Sequence, residues 1–144
     1  MIEQDTVKLL RECDAGARMG MDSLNGVLSA AETPALKDLL KTSLDSHEAV
    51  SRDITEALHR FDDAGKKPNP MASGMSWLKA HAELALDHSD STIADLMTDG
   101  CAMGIKSLSR YLNQYKAADE DAKGLARKLI GLEDRLSQDL RAYL

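Results

Sequence analysis

The sequence predicts an all-α protein that forms a single four-helix bundle, and three observations predict it. Apolar residues make up 43% of the 144 residues but aromatic residues only 3%, so Leu, Ala, Met, Ile and Val, mostly good helix formers, must fill the core. Four long stretches carry apolar residues at three- and four-residue steps. A pair of these stretches near the N-terminus recurs near the C-terminus. A chain of this length is about one domain, so we expect one core.

The first two stretches predict a helical hairpin. The first helix is expected to follow Asp5, because apolar residues recur at helical spacing from there to Leu28. Thr33 can cap the second helix, with Pro34 at its first position. The apolar stripe of this second helix continues to Phe61, where an acidic turn ends it.

A long connection separates two hairpin units, which we place at residues 5–62 and 91–144. The connection, residues 63–90, includes a non-helical segment at 65–70 with two prolines. Apolar spacing within it predicts a short extra helix at 75–86. Because the connection can run the length of a bundle, the second and third helices are predicted to be parallel.

The two hairpins resemble each other in sequence. Residues 16–24 match residues 100–108 at an offset of 84, with Gly, Met, Gly, Ser and Leu identical in register. The second helix of each hairpin matches at an offset of 86, and an acidic turn at 118–121 separates the third helix from a fourth that is expected to reach the C-terminus. A hairpin cannot bury its apolar face alone, so two copies facing each other predict a closed bundle.

Four glycines occupy matched places in the two copies: Gly16 and Gly20 in the first, Gly100 and Gly104 in the second. Glycine inside a helix costs about 1 kcal/mol relative to Ala, so a packing role is indicated. We interpret these glycines as allowing the backbones of the first and third helices to approach closely.

Each apolar stripe also contains a polar or non-aliphatic residue where it passes the middle of the bundle. These residues are Asp14, His47, Thr98, Cys101 and Glu133. His47 and Glu133 are equivalent in the two copies, at the offset of 86. Buried carboxylates and imidazoles need partners. One interpretation is a structural polar layer that fixes the register of the helices. The other is a metal site with Asp14, His47, Cys101 and Glu133 as ligands.

The chain resembles the ferritin and rubrerythrin superfamily, in particular an uncharacterised bacterial branch of it. The features that carry the resemblance are the repeated hairpin and the segments 75–80, 100–112 and 133–136. The resemblance covers nearly the whole chain. It implies a ferritin-like bundle with one long crossover. In catalytic members, a Glu from each of two helices and a Glu-x-x-His motif from each of the other two hold two irons.

This sequence departs from that ligand pattern. Leu44 stands three residues before His47, where the motif has Glu, and both motif residues are changed around Glu133. Ala17 and Cys101 stand where the resemblance would place the single carboxylates. A complete di-iron centre is therefore not expected, no catalytic residue is assigned, and no cofactor is expected.

Composition argues against several classes of partner. The net charge of −6 is unfavourable for nucleic-acid binding, which depends on clustered Lys and Arg. No segment resembles a signal peptide or is apolar enough to span a bilayer, so a cytoplasmic protein is expected.

Cys13 and Cys101 are 88 residues apart and form no zinc motif. A homodimer is expected from the frequency of two-fold dimers.

The sequence thus favours a non-enzymatic ferritin-like bundle that acts as a structural or protein-interaction module. The alternative is a metal-binding protein, redox-active or stress-related, with a residual mid-bundle site for iron or another divalent metal.

Overall fold

The computed structural model describes residues 2–65 and 89–144, and this part of the chain is helical, with no β-strand. The predicted short helix at 75–86 lies outside the described residues. The helices are α1 (Ile2–Leu28), α2 (Pro34–His59), α3 (Asp90–Gln114) and α4 (Glu120–Leu140), followed by a 3₁₀ turn at Arg141–Tyr143. None of these helices combines the length and apolar character needed to cross a membrane.

Two helix ends differ from the sequence prediction. The first helix begins at Ile2 rather than after Asp5, and Glu3 and Asp5 lie in its first turn. Acidic side chains at this end are favourable because the helix dipole is positive there. The last helix ends at Leu140, and the chain tightens into the 3₁₀ turn, a common way for a helix to finish.

One end of the bundle is held together by Asp90, the first residue of α3. Its carboxylate accepts hydrogen bonds from the backbone N–H groups of Glu32 (2.8 Å) and Thr33 (3.1 Å), and from the Thr33 hydroxyl. Since Thr33 immediately precedes α2, the two helices start at the same end and run parallel, which is the direction that the long connection predicts. Thr33 is the N-cap residue of α2, but the expected cap by its own side chain is absent, because the hydroxyl donates to Asp90 instead.

The opposite end joins α1 to the turn between α3 and α4. The Asp5 carboxylate accepts from the backbone N–H of Ala117 (3.0 Å), and the Thr6 hydroxyl oxygen accepts from the backbone N–H of Asp119 (2.8 Å). Helices α1 and α4 therefore begin together at this end. The order along the chain is up, down, down, up.

The four helices enclose a core that falls into two clusters of buried apolar side chains. Around the bundle, α1 is beside α2, α2 beside α4, α4 beside α3 and α3 beside α1, and α1 also contacts α4 across the bundle. One cluster includes Leu24, Leu40 and Leu136, and the other includes Leu10 and Ile54. The division between the clusters marks the middle of the bundle.

Candidate functional site: a buried ion pair below a groove

The two apolar clusters are separated by a polar pair, His47 of α2 and Glu133 of α4. On α2, Leu44 belongs to one cluster and Val50 to the other, with His47 between them. On α4, Glu133 lies between Leu129 and Leu136, which also belong to different clusters. The structure therefore places this pair at the middle of the core.

His47 is completely buried, and both of its ring nitrogens are engaged. Nδ1 lies 2.8 Å from the carbonyl oxygen of Ser43, and Nε2 lies 2.5 Å from Oε1 of Glu133. Because a carbonyl oxygen can only accept, Nδ1 carries a proton. The remaining proton of the pair lies between Nε2 and the carboxylate.

The charge state of His47 follows from opposing effects. Burial disfavours the imidazolium, but the hydrogen bond and the negative charge of Glu133, together with the Ser43 carbonyl, outweigh it and raise the pKa of His47. These neighbours thus favour the charged imidazolium of His47, whose positive charge is balanced by the adjacent Glu133 carboxylate inside the core.

The Glu133 side chain retains 14% of its exposure, so its carboxylate is not sealed from the surface. The buried thiol of Cys101 on α3 lies beside it. Burial and the neighbouring Glu133 raise the pKa of Cys101, which keeps the group a neutral thiol. The carboxylate thus lies next to side chains of α2 and α3.

Two of the matched glycines make room for this pair. A Cβ atom on Gly20 of α1 would lie 2.9 Å from Cδ2 of His47 and 3.4 Å from Oε1 of Glu133. A Cβ atom on Gly104 of α3 would lie 3.8 Å from Oε2 of Glu133. Both helices thus present glycine to the middle of the bundle, and the carboxylate lies between them.

The other two residues of the predicted polar layer lie elsewhere. Asp14 precedes Gly20 by six residues, about 9 Å along α1. At that position its buried carboxylate pairs with Arg18 (3.2 Å) and packs against Gly65, beyond the end of α2. The Thr98 hydroxyl donates to the backbone carbonyl of Asp95 on its own helix (3.0 Å). The structure brings together three of the five predicted residues, His47, Cys101 and Glu133.

A groove of about 390 Å³ opens between α1 and α3 above the pair. Its lining includes the four matched glycines Gly16, Gly20, Gly100 and Gly104, with His47, Cys101 and Glu133 at its base. In the sequence, these four glycines are the feature that indicates the position of the groove. Helices α1 and α3 contact each other, and a Cβ atom on Gly16 would lie 3.9 Å from Cδ2 of Leu108 on α3, whereas one on Gly100 would meet nothing within 4 Å.

The chemistry available at the base of the groove is limited to one carboxylate, one imidazole and one thiol. Within the described ranges, no group of three or more His, Cys, Asp and Glu side chains is arranged to hold a metal ion. The arrangement can share a proton between His47 and Glu133, and it can present the partly exposed carboxylate to a molecule in the groove.

Comparisons of the chain with protein-family models, with curated proteins and with solved structures give no match.

Proposed function

We propose that this protein is a ferritin-like bundle made from a duplicated hairpin, in which the His47–Glu133 pair occupies the place of a di-iron centre. Two features support this relationship. The up, down, down, up order with one long connection is the topology of ferritin-like folds. His47 and Glu133, equivalent in the two sequence copies, contact each other directly, as expected for equivalent residues beside a pseudo-two-fold axis.

We further propose that the bundle acts as a structural or interaction module rather than as an oxidase. The observation that carries this proposal is that both nitrogens of the central His47 ring have a partner: Nδ1 binds the Ser43 carbonyl and Nε2 binds the Glu133 carboxylate. Across residues 2–65 and 89–144, every buried side-chain nitrogen and oxygen has a hydrogen-bond partner. The polar groups therefore stabilise one another without a metal.

A polar pair of this kind can define which helices face each other and at what height. Sliding α2 along α4 by one turn, about 5.4 Å, would separate His47 from Glu133 and leave the buried imidazole among apolar side chains without its partner. Such a mispaired state is costly because unpartnered buried charges are strongly unfavourable. We infer that the pair fixes the register of the bundle.

Metal analysis tests this proposal against its alternative, a metal-binding protein. The protein, purified without an affinity tag and incubated with Fe²⁺, Mn²⁺ or Zn²⁺, is expected to retain much less than one equivalent after desalting. A His47→Ala variant is expected to retain no less than the wild type. Stoichiometric metal in the wild type that disappears in His47→Ala would overturn the structural role and support a residual metal site at His47, Cys101 and Glu133.

A further inference from the structure

The outward face of α3 carries a regular stripe of charged residues. Residues three or four positions apart lie on the same face of a helix, and this stripe continues at that spacing for about 22 Å of helix. Its members are all exposed: Asp95, Asp99, Ala102, Lys106 and Arg110. Apart from Asp90 at the start, the stripe contains every charged residue of α3.

The charges in this stripe are separated by sign. Asp95 and Asp99 occupy its first half, and Lys106 and Arg110 occupy its second half. Like charges four residues apart on a helix repel each other, whereas opposite charges at the same spacing attract. None of these four side chains forms an ion pair with another residue in the described ranges 2–65 and 89–144. Within one chain, the stripe is therefore an unfavourable arrangement.

The dipole of α3 does not account for this separation of charge. Acidic residues at the start of a helix and basic residues at its end are favourable, but only within the first and last turns. Asp95 follows the first residue of α3 by five positions, and Lys106 precedes the last by eight. The compensating charges must therefore come from another source.

A second copy of α3, running antiparallel, supplies opposite charge along the whole stripe. In a two-fold contact the same surface is used by both copies, so each pairing occurs twice. With the axis between positions 102 and 103, Asp99 lies as far before the axis as Lys106 lies after it, and the same holds for Asp95 and Arg110. Each acidic residue thus faces a basic residue of the partner subunit, which gives four ion pairs.

The centre of the stripe is suited to direct contact between the two copies. Ala102 is small, and Met103 beside it is 57% exposed. The other exposed large apolar side chains in the described part of the chain are its first and last residues, Ile2 and Leu144. Met103 of both copies would meet at the axis, where a flexible thioether side chain adapts readily to its neighbour.

We propose that this protein forms a two-fold homodimer through the outward face of α3, with the two copies of this helix antiparallel. A partner of uniform charge would match only half of the stripe, whereas a second copy matches all of it. The inference goes beyond the proposed function and is independent of it, because the stripe lies on the side of α3 opposite the buried Leu108.

Sedimentation equilibrium over a range of protein concentrations tests the proposal. In about 0.1 M NaCl we expect a reversible dimer with twice the chain mass of 15.7 kDa. The dimer Kd should rise at least about tenfold in about 1 M NaCl, because the Debye length falls from about 10 Å to about 3 Å. A monomer at every concentration, or a dimer whose Kd does not change with salt, would overturn the proposal.

Charge reversal locates the contact. A single exposed ion pair contributes little, so each variant reverses two charges. Asp95→Lys with Asp99→Lys makes the stripe entirely basic, and Lys106→Glu with Arg110→Glu makes it entirely acidic. Each variant alone should be monomeric, and an equimolar mixture should form a heterodimer at least as stable as the wild-type dimer. Recovery of that heterodimer also shows that both variants are folded.

A matched control reverses two acidic charges on another helix. Asp45→Lys with Glu48→Lys, at exposed positions of α2, changes the net charge by the same amount and should dimerise as the wild type does. A dimer that persists in Asp95→Lys with Asp99→Lys, or one that the α2 control abolishes equally, would contradict the proposed surface.

Discussion

His47 is a buried side chain whose neighbours favour its charged form. Its ring has no contact with solvent, yet the Ser43 carbonyl and the Glu133 carboxylate each lie within hydrogen-bond distance of one ring nitrogen. A buried charge is tolerated only when it is paired and hydrogen-bonded, and both conditions are met here. Stability should therefore respond to pH through this residue.

We expect the free energy of unfolding to fall as pH rises above about 6.5. The pKa of His47 is raised in the folded protein, whereas in the unfolded chain it is about 6.5. The contribution of His47 is thus fully present below about pH 6.5 and is lost as pH rises through the folded-state pKa, with a slope of at most about 1.4 kcal/mol per pH unit. Urea unfolding at several pH values measures this. A His47→Gln variant should lack the slope, and a wild-type stability that rises over the same interval would contradict the assigned charge state.

Both cysteines should be unreactive in the folded protein. Burial, with the nearby acidic residues Glu12 and Asp14, raises the pKa of Cys13 to about 12, and the pKa of Cys101 is also raised. Since the thiolate is the reactive form, a thiol reagent at pH 8 should modify neither residue until urea unfolds the chain. A Ser29→Cys variant, with its thiol at an exposed position, should react with one equivalent and serves as the control. Rapid modification of native wild-type protein would show that the core opens.

At the scale of the helices, α1 and α3 each place a glycine beside the central pair, but the two glycines are not equivalent. Gly20 lies so close to the His47 ring that a Cβ atom would be 2.9 Å from Cδ2 and 3.1 Å from Nε2. Gly104 has only ordinary van der Waals distances, 3.7–3.9 Å, to Glu133. The first glycine is required by packing, whereas the second has room for a methyl group.

Gly20→Ala should destabilise the protein by about 1–3 kcal/mol, the usual cost of overpacking a core, because the ring it meets is held at both nitrogens. Gly131→Ala, at an exposed helical position with nothing within 4 Å, should stabilise by about 0.5–1 kcal/mol through helix propensity. Gly104→Ala should resemble Gly131→Ala. Thermal and urea unfolding of the three variants measures the order, and a stabilising Gly20→Ala would show that His47 can move.

Asp90 should be important for holding the starts of α2 and α3 together. Its hydrogen bonds with the Thr33 hydroxyl and the Glu32 N–H lower its pKa, so these contacts are present above the unfolded-state value of about 3.9 and are lost as pH falls through the lower folded-state pKa. We expect Asp90→Ala to lower the Tm at pH 7. Asp95→Ala, at an exposed position of the same helix, is the control and should have little effect. Equal Tm values for the two variants would show that the Asp90 contacts contribute nothing.

Much of this element structure was predictable from the sequence, because three- and four-residue apolar spacing indicates helices and Pro34 marks a start. The details that were missed depend on other parts of the chain. The Thr33 hydroxyl binds Asp90 rather than capping its own helix, and such a contact between residues 57 positions apart has no local signal. Helix boundaries likewise depend on contacts that spacing does not describe.

For the whole molecule, the match between the two sequence copies predicts the central pair. His47 and Glu133 are equivalent at the offset of 86, and the structure brings their polar atoms to 2.5 Å. Asp14 is predicted for the same layer only by its position on an apolar stripe, and such a position does not determine the height of a residue in the bundle. The structure puts glycines at that height on α1 and α3, and both line the groove. Space between helices is a property of the assembled bundle, so the sequence marked the glycines without revealing the groove.

We propose that His47 and Glu133 form a structural pair that defines the bundle without a metal. The most direct test is urea unfolding of His47→Leu, Glu133→Leu and the double variant. Each single variant should lose about 3–5 kcal/mol, because one polar group is left without its partner, whereas the double variant should have nearly wild-type or higher stability with an apolar pair in its place. A double variant that loses the sum of the two single effects, or does not fold, would contradict the claim.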